Sequence, residues 1–160
     1  MRMIDLVLLS LLTVFSSCAG VSVLAQEKNQ PVLYQQSFLK KIDDVRELQK
    51  KGKYDKALKS LKVMKDEQLL ISERGLKANL IGVILFGQKK YGDAKEYFQK
   101  AKANASEDKN LRSKVNLNLA STLVRLGNSE EGQKVLKECD PKELNDSEAK
   151  KYHALTTELA

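Results

Sequence analysis

The sequence is poor in residues that interrupt or staple a fold. It contains no Trp, two Pro and one His, and its nine aromatic side chains are all Tyr or Phe. The prolines stand at positions 31 and 141, so nothing between them obliges a helix to break. Two cysteines, Cys18 and Cys139, are too few for a disulfide framework. The single histidine, His153, leaves an imidazole metal site short of ligands, and no ligand spacing accompanies it. No glycine-rich phosphate loop and no carboxylate pair of defined spacing is present. A Cys139–His153 dyad would have to join two residues expected to be packed in different parts of the fold. The reading is therefore of a chain that is not an enzyme, with no catalytic residue, metal, cofactor or small-molecule substrate.

What remains is a helix-forming composition. Of 160 residues, 42% are hydrophobic and 31% charged, enough for one soluble domain. Runs of β-branched residues are scarce beyond the N-terminus. The net charge is +7, and the first 25 residues contribute one Arg and one Asp, so the excess belongs to the remainder. That charge favours anionic partners, but it is too modest and too well mixed with Asp and Glu to indicate nucleic acid by itself, so a binder of anionic glycan or nucleic acid stands only as a lesser alternative.

Residues 1–25 read as a secretory leader. Arg2 precedes an apolar run, Leu6–Phe15, broken only by Ser10 and Thr13, and small residues follow. Two processing sites compete. Val23-Leu24-Ala25 fits a small-x-small cleavage site before Gln26. Phe15-Ser16-Ser17-Cys18 is similar to a bacterial lipoprotein box, with Phe15 where leucine is usual, and would make Cys18 a lipidation site. An uncut leader is the third possibility. The chain is expected to be exported to the periplasm or cell envelope and held at a membrane by a lipid anchor or the uncut leader. Each buried methylene of an acyl chain adds about 0.8 kcal/mol to such attachment. Cys139 then stands alone, and a lone thiol in an oxidising compartment is expected to be buried.

After a polar tether at 26–33, residues 34–160 form a helical series. Phe38, Leu39, Ile42, Val45 and Leu48 recur three and four apart, predicting a helix over 34–49. Gly52 breaks it, and a helix over 54–65 returns with Tyr54, Ala57, Leu58, Leu61 and Met64 on one stripe. Leu69–Ile71 is expected to tuck under the next hairpin, which opens with Ser72 as N-cap, turns through Gly87–Lys90 and returns over 91–103. A third hairpin runs from 109 to 126, turns at Gly127-Asn128 and returns over 129–139. Asp140-Pro141-Lys142-Glu143 carries the signature of one short helical turn, and a last helix covers 147–159.

The returning helices share a period. Tyr54, Ala57, Leu61 and Met64 align with Tyr91, Ala94, Phe98 and Ala101 at a spacing of 37, and with Ser129, Gly132, Leu136 and Cys139 at a further 38. On the first helices, Val45, Gly82 and Ala120 fall at one position, with Thr156 the fourth. Small residues where two helices must touch, bulk around them and a fixed period describe stacked helical hairpins.

Gly52-x-Tyr54-x-x-Ala57 and Ile81-Gly82 … Tyr91-x-x-Ala94-x-x-x-Phe98-x-x-Ala101 resemble the tetratricopeptide repeat, over about Phe38–Ala160. The period exceeds the usual 34 residues, and the early Trp and terminal Pro are missing. The resemblance implies an all-α, right-handed superhelix of three hairpins plus a C-terminal helix. It implies a protein-interaction adaptor, with a concave wall formed by the first helix of each hairpin. The wall positions are Arg46 in the first repeat, Asn79, Val83 and Phe86 in the second, and Lys114, Asn118, Ser121 and Arg125 in the third. Asn79 and Asn118 would clamp the backbone of an extended peptide, and the cations would take a carboxylate. The full Lys/Asn/Arg set that grips a C-terminal carboxylate is not reproduced.

Two features stand beside the groove. Lys50, Lys51, Lys53, Lys56, Lys59, Lys62 and Lys65 make a basic run whose helical members face outward, either as a solvated face or, beside an anchor, as a contact for anionic lipid or an acidic partner. The last helix looks like the first half of a fourth hairpin. It is either a cap, with Lys150, Lys151 and Glu158 on a polar outer face, or a docking face for a larger envelope assembly.

Overall fold

A computed structural model describes residues 32–160 of the chain, and the leader with Cys18 lies outside the described residues. Among the described residues the structure is all helical and contains no strand. The helices are α1 (Gln36–Lys50), α2 (Tyr54–Lys62), α3 (Ile71–Gly87), α4 (Tyr91–Asn104), α5 (Lys109–Arg125), α6 (Ser129–Lys137) and α7 (Asp146–Glu158). Short 3-10 turns at Asp66–Gln68 and Pro141–Glu143 link the hairpins. Three antiparallel pairs, α1/α2, α3/α4 and α5/α6, are followed by α7, and each first helix packs on its own return and on the pair before it. This is a helical solenoid.

The pairing depends on small residues at the crossings. Gly82 on α3 faces Phe98 on α4, and a Cβ at Gly82 would lie 2.6 Å from the Phe98 ring. Phe98 is itself buried, so the ring has nowhere to retreat. Val45 and Ala120 occupy the same position in the neighbouring hairpins and are fully buried beside the core residues Leu61 and Leu136. Thr156, the fourth in that series, is exposed, because no helix within the described residues returns against α7. Cys139 is buried in the core. Its thiol donates to the Ser113 carbonyl at 3.3 Å. Burial, reinforced by Asp140 and Glu148, pushes its pKa up to about 11.

Several local expectations change. α3 begins at Ile71 with Leu70 as N-cap, not Ser72, whose hydroxyl instead donates to the Leu33 carbonyl at 2.8 Å. Leu70 and Ile71 are 41% and 60% exposed rather than tucked beneath the next hairpin. The helix start points them outward, and Leu69 alone packs on the core. Tyr54 is likewise half exposed, at the edge of the α2 stripe. The α3–α4 turn takes its left-handed residue at Lys89, φ 61°, where the flanking hairpins use Gly52 and Gly127.

The starts of the three first helices are tied together. Buried Glu73 accepts the backbone N–H of Gln35 at 2.6 Å and that of Leu70 at 2.9 Å, joining the N-caps of α1 and α3. Tyr34 donates to Asp108, the N-cap of α5, at 2.6 Å. Burial and then this carboxylate hold the Tyr34 phenol far above its ordinary range.

Candidate functional site

The first helices α3, α5 and α7 lie side by side, α5 touching both of the others. Along them runs a row of polar side chains. The Asn118 carboxamide donates from Nδ2 to Oδ1 of Asn79 at 3.1 Å, bridging α5 and α3. Lys151 of α7 donates to Oδ1 of Asn118 at 3.2 Å, and its ammonium stands 5.5 Å from the centre of the Phe86 ring. Lys151 is exposed as a residue, yet desolvation of its ammonium holds it below the ordinary lysine range, against the opposing pull of Glu148. Phe86 is braced edge-on by Tyr91, with centroids 5.2 Å apart. Lys114 reaches Glu148 at 3.7 Å, a second tie between α5 and α7.

The structure thus brings Asn79, which is buried, together with Phe86 and Asn118 in one linked row across α3 and α5, and sets Lys114 on α5 facing α7. Val83, one helical turn beyond Asn79, is 38% exposed. Ser121 is buried, and its hydroxyl donates back to the Leu117 carbonyl at 2.7 Å. Arg125 is exposed in the last turn of α5. Arg46 is exposed on α1 and pairs with Asp43 of the same helix at 3.0 Å.

Lys151 and Glu148 are the members of the row that periodicity missed. Lys151, expected on the outer face of α7, turns inward to α5. At the repeat spacing the counterpart of Asn118 is Ala154, whose methyl has no polar reach. Lys151 lies one turn earlier and arrives by its long flexible stem. The signal available was the length of the side chain, not its register.

Chemically, this row offers donors. The two carboxamides retain N–H groups beyond the one used in their mutual bond, and the ammonium of Lys151 keeps two beyond the one it gives Asn118. The carboxylate beside the row, Glu148, is engaged by Lys114 as an ion pair. His153 is exposed, and its ring stands edge-on to Tyr152 with centroids 5.6 Å apart. Among the described residues no group of three His, Cys, Asp or Glu is placed to hold a metal ion.

The stacked pairs and their crossing residues define a helical-repeat interaction protein. Residues 78–107 and 113–140 match the family model of the tetratricopeptide repeat, so these two segments are tetratricopeptide-type repeats. The matched segments hold most of α3, all of α4, most of α5 and all of α6, including Asn79, Val83, Phe86 and Asn118. Repeats of this kind bind protein or peptide partners and typically act as scaffolds rather than catalysts. No curated protein and no solved structure matches the chain.

Proposed function

We propose that the chain is an adaptor that takes an extended peptide segment or partner helix along the row formed by Asn79, Val83, Phe86, Lys114 and Asn118. The observation that carries this reading is the Asn118–Asn79 hydrogen bond, continued by Lys151. It orients two carboxamides on successive repeats before any partner arrives, which lowers the ordering cost of binding. Their spare N–H donors suit the carbonyls of an extended backbone, Val83 and Phe86 supply apolar contact, and Lys151 suits a carboxylate. The leader, with Cys18 or the Gln26 terminus after processing, would place this adaptor outside the cytoplasm at a membrane of the cell envelope, and intact mass of the extracted protein distinguishes these ends. No nucleic acid or small-molecule substrate enters this reading.

A second reading is favoured by α7, which buries only Leu155 fully and leaves Thr156 open. There the chain is the repeat region or a subunit of a larger envelope assembly, which docks on that face. Photo-crosslinking residues placed in cells at Val83, at Thr156 and at the outward Lys134 separate the two. Polypeptide adducts from Val83 that are lost on Asn79→Ala support the groove. Adducts from Thr156 alone favour the assembly, and adducts from Lys134 alone overturn both.

A further inference from the structure

The positive charge of the chain is not spread along it. Residues 36–65 carry ten Lys and Arg against four Asp and Glu, so +6 of the net +7 lies in the first hairpin. Its outer face is the side of α2 turned away from buried Ala57 and Leu61. Helical spacing places Lys56, Lys59 and Lys62 there, around Val63. All three lysines are exposed, and none has an ion-pair partner among the described residues. Val63, at the C-cap, is 68% exposed, an apolar side chain held out into solvent among cations. Asp55, the only carboxylate of α2, accepts a hydrogen bond from Gln88.

We infer that this face of α2 seats against an anionic phospholipid surface. Three features select lipid over other anions. The cations are all lysine, compact charges on long stems suited to a diffuse headgroup plane rather than to fork-like pairing with one carboxylate or phosphate. The face is a single helix side with no groove to hold an acidic peptide. No arginine or aromatic ring stands among the lysines, as stacking on nucleic-acid bases would require. A headgroup layer takes the ammonium groups at its surface and the Val63 methyls just below. The row of α3, α5 and α7 is separate from this face, and the inference depends neither on that row nor on how Cys18 is processed.

The test is flotation of the full chain with vesicles of phosphatidylglycerol and phosphatidylcholine, against vesicles of phosphatidylcholine alone. The expected result is binding to the anionic vesicles that weakens with salt. Lys56→Gln, Lys59→Gln and Lys62→Gln together should lower it at least about tenfold. A charge-matched control, Lys90→Gln with Lys134→Gln and Lys137→Gln, should stay within about twofold of the unchanged chain. Circular dichroism and the melting midpoint establish that both variants are folded. Undiminished binding of the α2 variant overturns the inference, because the leader or the general charge then suffices. Equal loss in the control overturns it in favour of net charge. Tighter binding to duplex DNA or to polyglutamate than to the anionic vesicles, lost in the α2 variant, reassigns the face to that partner. A fluorophore on Val63→Cys gives an independent readout, since a blue shift on anionic vesicles alone is expected and its absence counts against the inference.

Discussion

The second and third hairpins solve the same packing problem with the small residue on opposite sides. In the second, the missing Cβ belongs to the first helix: Gly82 gives its space to the Phe98 ring. In the third, the first-helix residue is Ala120, and the glycine has moved to the return, where a Cβ at Gly132 would stand 3.2 Å from the Ala120 carbonyl oxygen. Interaxial distance is set by the sum of what both helices present, so a side chain lost on one can be matched by one gained on the other. The two N-termini differ in the same manner. α5 is capped from outside by Asp108, which accepts from Leu111 N–H at 2.8 Å. α3 has a leucine at its N-cap and borrows an acceptor from within, the Glu73 carboxylate.

The sharpest way to break this comparison is at Gly82. Gly82→Ala puts a methyl inside the contact distance of a ring that is 1% exposed, and is expected to destabilise by about 3 kcal/mol in chemical denaturation. If the sum is what matters, adding Phe98→Leu rebuilds the Ala120 and Leu136 pairing of the third hairpin. The double variant should then lose less than the sum of the singles, with a coupling of at least about 1 kcal/mol. Additive losses would show that the two hairpins are not interchangeable.

Next comes the borrowed cap. Glu73 is fully buried and accepts from three donors, Gln35 N–H, Gln35 Nε2 and Leu70 N–H. Glu73→Gln keeps the shape but turns one acceptor into a donor facing donors. It should cost about 2 kcal/mol in the same assay, and hydrogen exchange at Gln35 and Leu70 should quicken. Asp108→Asn keeps Oδ1 for the Leu111 N–H and lets the Tyr34 hydroxyl accept from Nδ2 instead of donating, so it should cost about 0.5 kcal/mol.

Hairpin boundaries, the Gly82–Phe98 crossing and the burial of Cys139 were legible because each leaves a periodic mark: apolar spacing, size class at equal positions, a lone thiol in a core slot. That Asn79 and Asn118 hydrogen-bond to each other was not legible: they stand 39 residues apart, one out of the 38-residue register of Gly82 and Ala120. What was not legible lacked any local mark. Nothing in Leu70 announces a cap, since its acceptor comes from Glu73 and serves Gln35 at a distance of 38 residues. Lys151 reaches its place by rotamer, and rotamers are chosen by neighbours absent from the sequence. The turn through 87–90 was legible, but not which residue takes the left-handed conformation: α3 runs through Gly87 and the chain reverses at Lys89.

That turn gives a third test. Lys89 holds φ 61° where Gly52 and Gly127 hold 67° and 82°. Lys89→Gly removes the Cβ strain of a left-handed residue and should stabilise by about 1 kcal/mol, despite the looser unfolded chain. Gly127→Ala should lose about the same amount. A loss from Lys89→Gly would mean that the lysine side chain contributes more than its backbone costs.

The smallest effect is expected where two terms oppose. Gly132 lies inside α6, and alanine there gains about 1 kcal/mol of helix propensity. Its methyl would meet the Ala120 carbonyl and a Val124 methyl, each at 3.2 Å, tighter than ordinary contact but far short of the 2.6 Å overlap at Gly82. Val124 is only partly buried and can turn aside. The carbonyl belongs to the backbone of α5 and can be relieved only by a shift of a few tenths of an ångström between the helices. The gain and the strain are of similar size, so Gly132→Ala should fall within about 0.5 kcal/mol of the unchanged chain. A loss as large as that from Gly82→Ala would mean that the third crossing is as rigid as the second, and that side-chain give, rather than the distance itself, does not separate the two hairpins.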